Sequence, residues 1–265
     1  SAPAAAPGPS GWSLAFVVML AGPFSYLPMP ADYTRYLPRT TSLKSITWTG
    51  ALGGIVSSVA LGVAGVAAAT QTDMTDAVAG AEGLLPGWFR PLFLFLVLGG
   101  SVTNSIITLY SSSLNLQVLG IPWSRARALA VSAAVTAAGS LAALFLTDFT
   151  TSLLSFLSLL IIVFAPWGGV FLADMLMRRC RYDAEALHAR EDGAYWYRSG
   201  YHPAGLAALL AGLLFAALTC DSELWTGPLV APLGGADLTL LGSVVSGLVY
   251  WALARRRLPA YAPAA

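Results

Sequence analysis

The sequence predicts an all-α polytopic membrane protein with about seven transmembrane helices. Three observations carry that expectation. First, 57% of the 265 residues are hydrophobic and only 10% are charged. A soluble domain carries about 25% charged residues, so this chain has too few charges to cover a water-facing surface. Second, apolar stretches long enough to cross about 30 Å of hydrocarbon recur along the whole chain. Third, the charges fall between those stretches in a one-sided pattern. The net charge of +1 gives no electrostatic case for a nucleic-acid partner.

The expected spans are residues 11–31, 46–69, 88–118, 127–147, 150–176, 203–220 and 237–254. The third is long and has an interfacial start near Trp88. The fifth follows the fourth after a short turn at Thr147, Asp148 and Phe149. The second, fourth and sixth are rich in Gly, Ala and Ser, which lets helices approach closely in lipid. The opening SAPAAAPGPSG has no basic region followed by an apolar core, so it does not read as a signal peptide. It reads as a Pro/Ala-rich loop of a longer chain.

Orientation follows from the basic residues. With the N-terminal end outside, Arg35, Arg39, Lys44, Arg125 and Arg127 are cytoplasmic. So are Arg178, Arg179, Arg181, Arg190, Arg198 and the Arg255–Arg257 run. That places thirteen of the 14 basic residues on one side, with Arg90 opposite. Asp73, Asp76, Glu82, Asp148, Asp221, Glu223 and Asp237 fall outside. The expected product is an integral protein of the plasma (inner) membrane with a cytoplasmic C-terminus. Residues 177–202 form its one sizeable polar loop, whose mixed charges read as a solvated face. Cys180 and Cys220 lie on opposite sides and show no metal-binding spacing. No nucleophile–base pair, phosphate loop or metal cluster is apparent, and the chain does not read as an enzyme.

The first span holds the strongest local signal, AGPFSYLPMP at 21–30. Three prolines and a glycine in ten residues are incompatible with an ordinary helix, because each proline removes a donor and clashes with the preceding turn. In hydrocarbon the freed backbone groups cost several kcal/mol unless something satisfies them. A broken helix facing a cavity is one reading, since half-helix ends present backbone groups to substrate and ion. A proline kink that only shapes packing is the other. Phe24 and Tyr26 sit in the break, where a flat ring could stack. Beyond it comes DYTRYLP, in which Asp32 and Arg35 are i, i+3 neighbours able to pair. They read as an inner gate or as a simple interfacial ion pair. Asp174 and Arg178, at i, i+4, read as an interfacial pair at the end of the fifth span.

These motifs resemble the nucleobase:cation symporter-1 family, which includes cytosine, purine, allantoin and hydantoin permeases. The aromatic-containing break followed by DYTRYLP is similar to the family's sixth helix. VTNSIITLYSSSLNLQ at 102–117 is similar to its eighth, and PWGGVFLAD at 166–174 to its tenth. AYWY at 194–197 and YHPAG at 201–205 fit the approach to its eleventh.

The resemblance implies helices 6–12 of the five-plus-five inverted-repeat transporter fold. Residues 1–176 would form the second inverted repeat, its first span broken. Residues 177–202 would be a cytoplasmic loop, and 203–265 two peripheral spans and a tail. Helices 1–5 would be a missing partner half. The implied activity is cation-coupled symport of a nucleobase or related heterocycle by alternating access. The alternative is a non-transporting helix module, or an inactive fragment that needs a partner half.

By the same resemblance Phe24, Ser25 and Tyr26 contribute stacking and backbone hydrogen bonds to substrate. Asn104 and Thr108, i, i+4 on one helix face, address a ring amide edge. Gly99, Val102 and Thr103 stand at the cation positions. Val102 lacks a hydroxyl where sodium-coupled relatives have one, and hard cations want oxygen ligands. The resemblance therefore leaves H+ or Na+ as the coupling ion, favours the proton slightly, and implies no other cofactor and no metal beyond sodium. Without it, helix–helix hydrogen bonding is the plainer role for Thr103, Asn104 and Thr108.

Overall fold

The computed structural model describes residues 12–255, apart from 14, 18, 21–23, 25, 30, 31, 33, 39, 75, 76, 146–148, 190–192, 199 and 223, and without the side chains of 77, 149–152, 184 and 188. Among the described residues the secondary structure is helical, with isolated bridges only at Arg198–Tyr201 and Asp221–Thr226. The named helices are α1 (Leu43–Ala69), α2 (Ala77–Leu84), α3 (Arg90–Val118), α4 (Arg125–Phe145), α5 (Phe149–Met177), α6 (Ala184–His188), α7 (Pro203–Thr219) and α8 (Leu241–Ala254). This is an all-α polytopic membrane protein.

Among the described residues four helices are long and apolar enough to cross a membrane: Leu43–Ala69, Arg90–Val118, Arg125–Phe145 and Leu153–Met177 within α5. The sixth and seventh expected spans are shorter helices of 17 and 14 residues. At 1.5 Å per residue α8 reaches only about 21 Å. Its expected start at 237 is irregular because Asp237 turns its side chain on its own chain. Asp237 Oδ1 accepts from the Thr239 amide at 2.8 Å and from its hydroxyl at 2.5 Å. Helix α2, in the loop after α1, was not expected: eight residues are too few to register as a span.

Local chemistry explains the ends. Ser42 caps α1 by accepting from the Ser45 amide at 3.2 Å. Pro91 opens α3, where a missing amide costs nothing. Beyond α3 the chain turns at Gly120, whose φ of +81° suits a residue without Cβ. Asp183 caps α6 through the Glu185 and Ala186 amides.

In the first span Trp12, Ser13, Ala15–Val17, Met19 and Leu20 are helical, as is Phe24. Tyr26, Leu27 and Pro28 then form a turn, Met29 is irregular, and helical backbone returns at Asp32 and Thr34. The bonds here are short-range. The Leu27 amide donates to the Phe24 carbonyl at 3.2 Å, Asp32 to Met29 at 2.9 Å and Leu37 to Thr34 at 3.0 Å. Each spans three residues, as in turns, rather than the four of an α-helix.

The chain divides into two compact units, Ser1–Leu27 with Leu153–Ala265, and Pro28–Ser152. In the first, α5, α7 and α8 pack around small residues. A methyl on Gly212 would lie 2.6 Å from Ser246 Cβ and 2.8 Å from both the Gly242 carbonyl and Pro166 Cβ. Gly169 is closed off by the Ser243 carbonyl and the Ser246 hydroxyl. The Ser246 hydroxyl also donates to the Pro166 carbonyl at 2.8 Å, engaging the backbone next to the proline inside α5. Val17, Ile161 and Ala165 form an apolar cluster with Phe24, Leu157 and Leu240 against it. In the second unit α3 and α4 are neighbours, linked by a Ser112–Ser132 hydroxyl bond of 2.9 Å.

Candidate functional site

The substrate-binding candidates fall in both units. Phe24 is half-buried against the Val17, Ile161 and Ala165 cluster. A methyl added at Gly168 would meet Leu27 Cδ1 at 2.9 Å and the Phe24 ring at 3.7 Å, so Gly168 lets the break seat against α5. Tyr26 is half exposed, at 50%. Ser25 lies outside the described residues.

Asn104 and Thr108 lie on α3 and are exposed. Asn104 is the middle residue of a helix running from 90 to 118. The Thr108 hydroxyl donates to the Asn104 carbonyl at 2.9 Å, so the two share a face. One turn earlier the Thr103 hydroxyl donates to the Gly99 carbonyl at 2.8 Å. That bond brings two of the three cation candidates together and leaves the hydroxyl's lone pairs available. Val102, 59% exposed, supplies no side-chain oxygen. Ser101, Thr103, Asn104, Ser105 and Thr108 are all exposed around the middle of α3. Polar groups at that depth call for protein or water beside them rather than lipid.

Asp32 and Arg35 do not turn to each other. Asp32 Oδ2 accepts from the Ser111 hydroxyl, a side chain only 1% exposed. Arg35 donates to the Tyr36 phenol at 2.9 Å and to the Tyr110 phenol. The i, i+3 spacing permitted a pair, but the YSSS stretch of α3 offers each group a partner across the unit. The DYTRY and YSSS motifs therefore act together, an alliance that spacing along the chain could not show.

Asp174 and Arg178 pair at 2.9 Å, with the Arg178 side chain 7% exposed and that of Asp174 20%. The pair is the middle of a larger hub. Asp174 also accepts from the Tyr182 phenol at 2.7 Å and the Tyr250 phenol at 2.5 Å. Arg178 donates to the Tyr197 phenol at 2.7 Å. The His202 ring packs 4.1 Å from Tyr197 and 5.5 Å from Tyr250, centroid to centroid. One carboxylate thus ties the end of α5 to the 178–202 loop and to α8. Burial lowers the affinity of the Arg178 guanidinium for its proton, but the hydrogen bond and charge of Asp174 outweigh it and leave the pKa raised. Burial pushes the Tyr182 phenol up, and its bond to Asp174 pushes it further. Burial likewise raises Tyr197. Tyr182 stays protonated and donates to Asp174, whereas the Tyr197 phenol accepts from Arg178. Sequence reasoning found the pair but missed the phenols; their signal was a cluster of tyrosines flanking the loop.

The comparisons agree with this architecture. Residues 4–241 match the profile of a family described as "Permease for cytosine/purines, uracil, thiamine, allantoin". The chain is 24% identical over 247 residues to the "Putative purine-cytosine permease YxlA" of Bacillus subtilis (strain 168), covering 88% of this chain and 52% of that protein. It therefore spans about half the length of this curated relative. No solved structure matches. With a profile that covers most of its length, laid over apolar helices and a polar strip midway along α3, the chain belongs to the family of permeases for cytosine and purines, uracil, thiamine and allantoin.

Proposed function

We propose that this chain is the C-terminal part of a secondary active transporter that moves a nucleobase or related heterocycle by cation-coupled alternating access. The observation that carries the reading is the exposed polar strip centred on Asn104, at the midpoint of a permease-family helix. Polar side chains halfway along a membrane helix mark substrate or ion pathways. The broken stretch from Phe24 to Met29 is the second support, since its turn backbone leaves amides and carbonyls outside helical bonding.

In this reading Phe24, Ser25 and Tyr26 offer ring faces and backbone groups, and Asn104 and Thr108 read a ring amide edge. Gly99 and Thr103 supply the oxygens of a cation position in which Val102 leaves one ligand short. That deficit favours H+ over Na+. Residues 1–176 act as the second inverted repeat, 177–202 as a cytoplasmic loop and 203–265 as peripheral spans. The first five helices belong to the remaining length of the protein. The one-sided distribution of basic residues supports an N-terminal end outside and a C-terminus in the cytoplasm of a plasma-membrane protein. No covalent step is involved.

The test is uptake of labelled cytosine, uracil, hypoxanthine, allantoin and hydantoin by cells expressing the full coding sequence, with sodium and pH varied. Tyr26→Ala and Asn104→Ala are expected to abolish uptake while inserting normally in the membrane. Full uptake in both, and in Phe24→Ala, rejects the assigned residues.

A further inference from the structure

Unit Pro28–Ser152 gathers two arginines at one point with a single acid, Asp32, in reach of one of them. The Arg35 guanidinium donates to both the Tyr36 and Tyr110 phenols. These phenols touch each other at 2.8 Å. The Arg125 guanidinium lies over the Tyr110 ring, 4.5 Å from its centroid, and that of Arg35 lies 5.5 Å from the same centroid. Two cations therefore flank one neutral ring. Cation–π attraction rewards each contact modestly, but the two charges repel. Asp32 is the acid within electrostatic reach of Arg35, and its carboxylate is engaged by Ser111. Among the described residues no ion pair reaches Arg35 or Arg125.

Helix α4 begins at Arg125, and its first turn holds Arg127 and no acid. The positive end of a helix ordinarily carries negative charge, so here the dipole and the arginines reinforce each other. The cluster sits beside the connections at 35–42 and 119–124. Helix α3, 29 residues and so about 43 Å long, exceeds a hydrocarbon core of about 30 Å. With Asn104 at its midpoint, the helix leaves a core of that thickness near Leu114, so its last turn and the start of α4 reach the headgroup layer and Tyr110 lies one to two turns beneath it.

We propose that Arg35, Arg125, Tyr36 and Tyr110 form a binding site for the phosphate headgroup of an anionic phospholipid. Guanidiniums suit phosphate because their planar donor forks match its oxygens. The phenols hold Arg35 in place by accepting from it, and the one whose proton is not spent in the Tyr36–Tyr110 bond adds a hydroxyl donor. A phosphate there relieves the repulsion between the arginines and satisfies the positive end of α4. The site is independent of the transport reading and fastens the DYTRY segment to the α3–α4 hairpin through a lipid.

Native mass spectrometry of the purified protein, exposed separately to dioleoyl phosphatidylglycerol and dioleoyl phosphatidylcholine, tests this. The wild type is expected to retain phosphatidylglycerol preferentially. Arg35→Gln and Arg125→Gln should each weaken that retention about fivefold, the worth of one arginine near an anionic surface. Arg125→Lys should keep most of it, and Arg90→Gln, at the far end of α3, should leave it unchanged. Equal retention of the two lipids, equal loss in Arg90→Gln, or unchanged retention in both glutamine variants overturns the site. The last result hands the arginines to an acid from another part of the protein. Displacement by inorganic phosphate at equal concentration also overturns it, since a free anion would then suffice. If the glutamine variants misfold, a salt titration of the wild type decides. Preference for phosphatidylglycerol must fall as salt rises, and preference that survives high salt refutes the proposal.

Discussion

Replacing Asp174 by alanine should cost this protein a large share of its stability. The carboxylate receives three donors: Arg178 Nε at 2.9 Å, Tyr182 at 2.7 Å and Tyr250 at 2.5 Å. The Arg178 side chain is only 7% exposed, so removing its partner strands a largely buried cation. Breaking a buried pair from one side costs about 3–5 kcal/mol. Hydrogen bonds to a charged group add about 1.5–3 kcal/mol each, but Asp174 is 20% exposed and water can recover part of the loss at the phenols. The expected cost is about 4 kcal/mol for Asp174→Ala, and about 2 kcal/mol for Tyr250→Phe, which deletes one charged bond. Unfolding of the purified protein in mixed detergent micelles measures both. The double variant should show a coupling of at least about 0.5 kcal/mol, because the two groups share one bond. Limited proteolysis supplies a second readout, since the loop at 178–202 loses its anchor and should be cut faster. A cost for Asp174→Ala below about 1 kcal/mol, the worth of an exposed surface pair, would refute the claim that this hub is buried and structural.

Two further outcomes follow from the same unit. Gly212→Ala places a methyl 2.6 Å from Ser246 Cβ and 2.8 Å from the Gly242 carbonyl, so it should destabilise by about 1–3 kcal/mol through overpacking. Gly139→Ala, with open space around it, should be neutral or slightly stabilising in the same unfolding assay; equal effects would dismiss the close approach of α7 and α8. His202 gives a pH signature. Burial holds its imidazole below the ordinary value of 6.5; Asp174 opposes that shift and Arg178 adds to it. The unfolded chain therefore takes up the proton first as pH falls. Its stability contribution is intact above the unfolded pKa and is lost progressively as pH drops toward the folded one. Thermal midpoints at about pH 7.5 and about pH 5.5 should fall further apart in the wild type than in His202→Phe, and identical differences in the two proteins would count against the buried imidazole.

Much of the architecture was legible because the bilayer imposes simple rules. Stretches of twenty or so apolar residues must be helices there, since no other local structure satisfies the backbone in hydrocarbon. The long helices α1, α3, α4 and α5 follow directly. The break after Phe24 was legible too, because Pro23, Pro28 and Pro30 remove donors wherever they stand. Less legible were α7 and α8. Their residues are apolar enough, but the actual helix ends depend on local bonds such as the Asp237–Thr239 turn.

Along the candidate site, sequence alone determined residue types and spacing: a glycine four residues before Thr103, an asparagine four before Thr108, a carboxylate four before Arg178. Helical periodicity makes such pairs neighbours, whatever the rest of the chain does. Tertiary structure alone decided the partners that come from afar. Asp32 went to Ser111 rather than Arg35, Arg35 and Arg125 met at Tyr110, and three tyrosines from the loop and α8 gathered on Asp174 and Arg178. Short-range contacts follow from the 3.6-residue turn, whereas contacts between elements depend on how whole helices pack, and no local pattern along the chain encodes that.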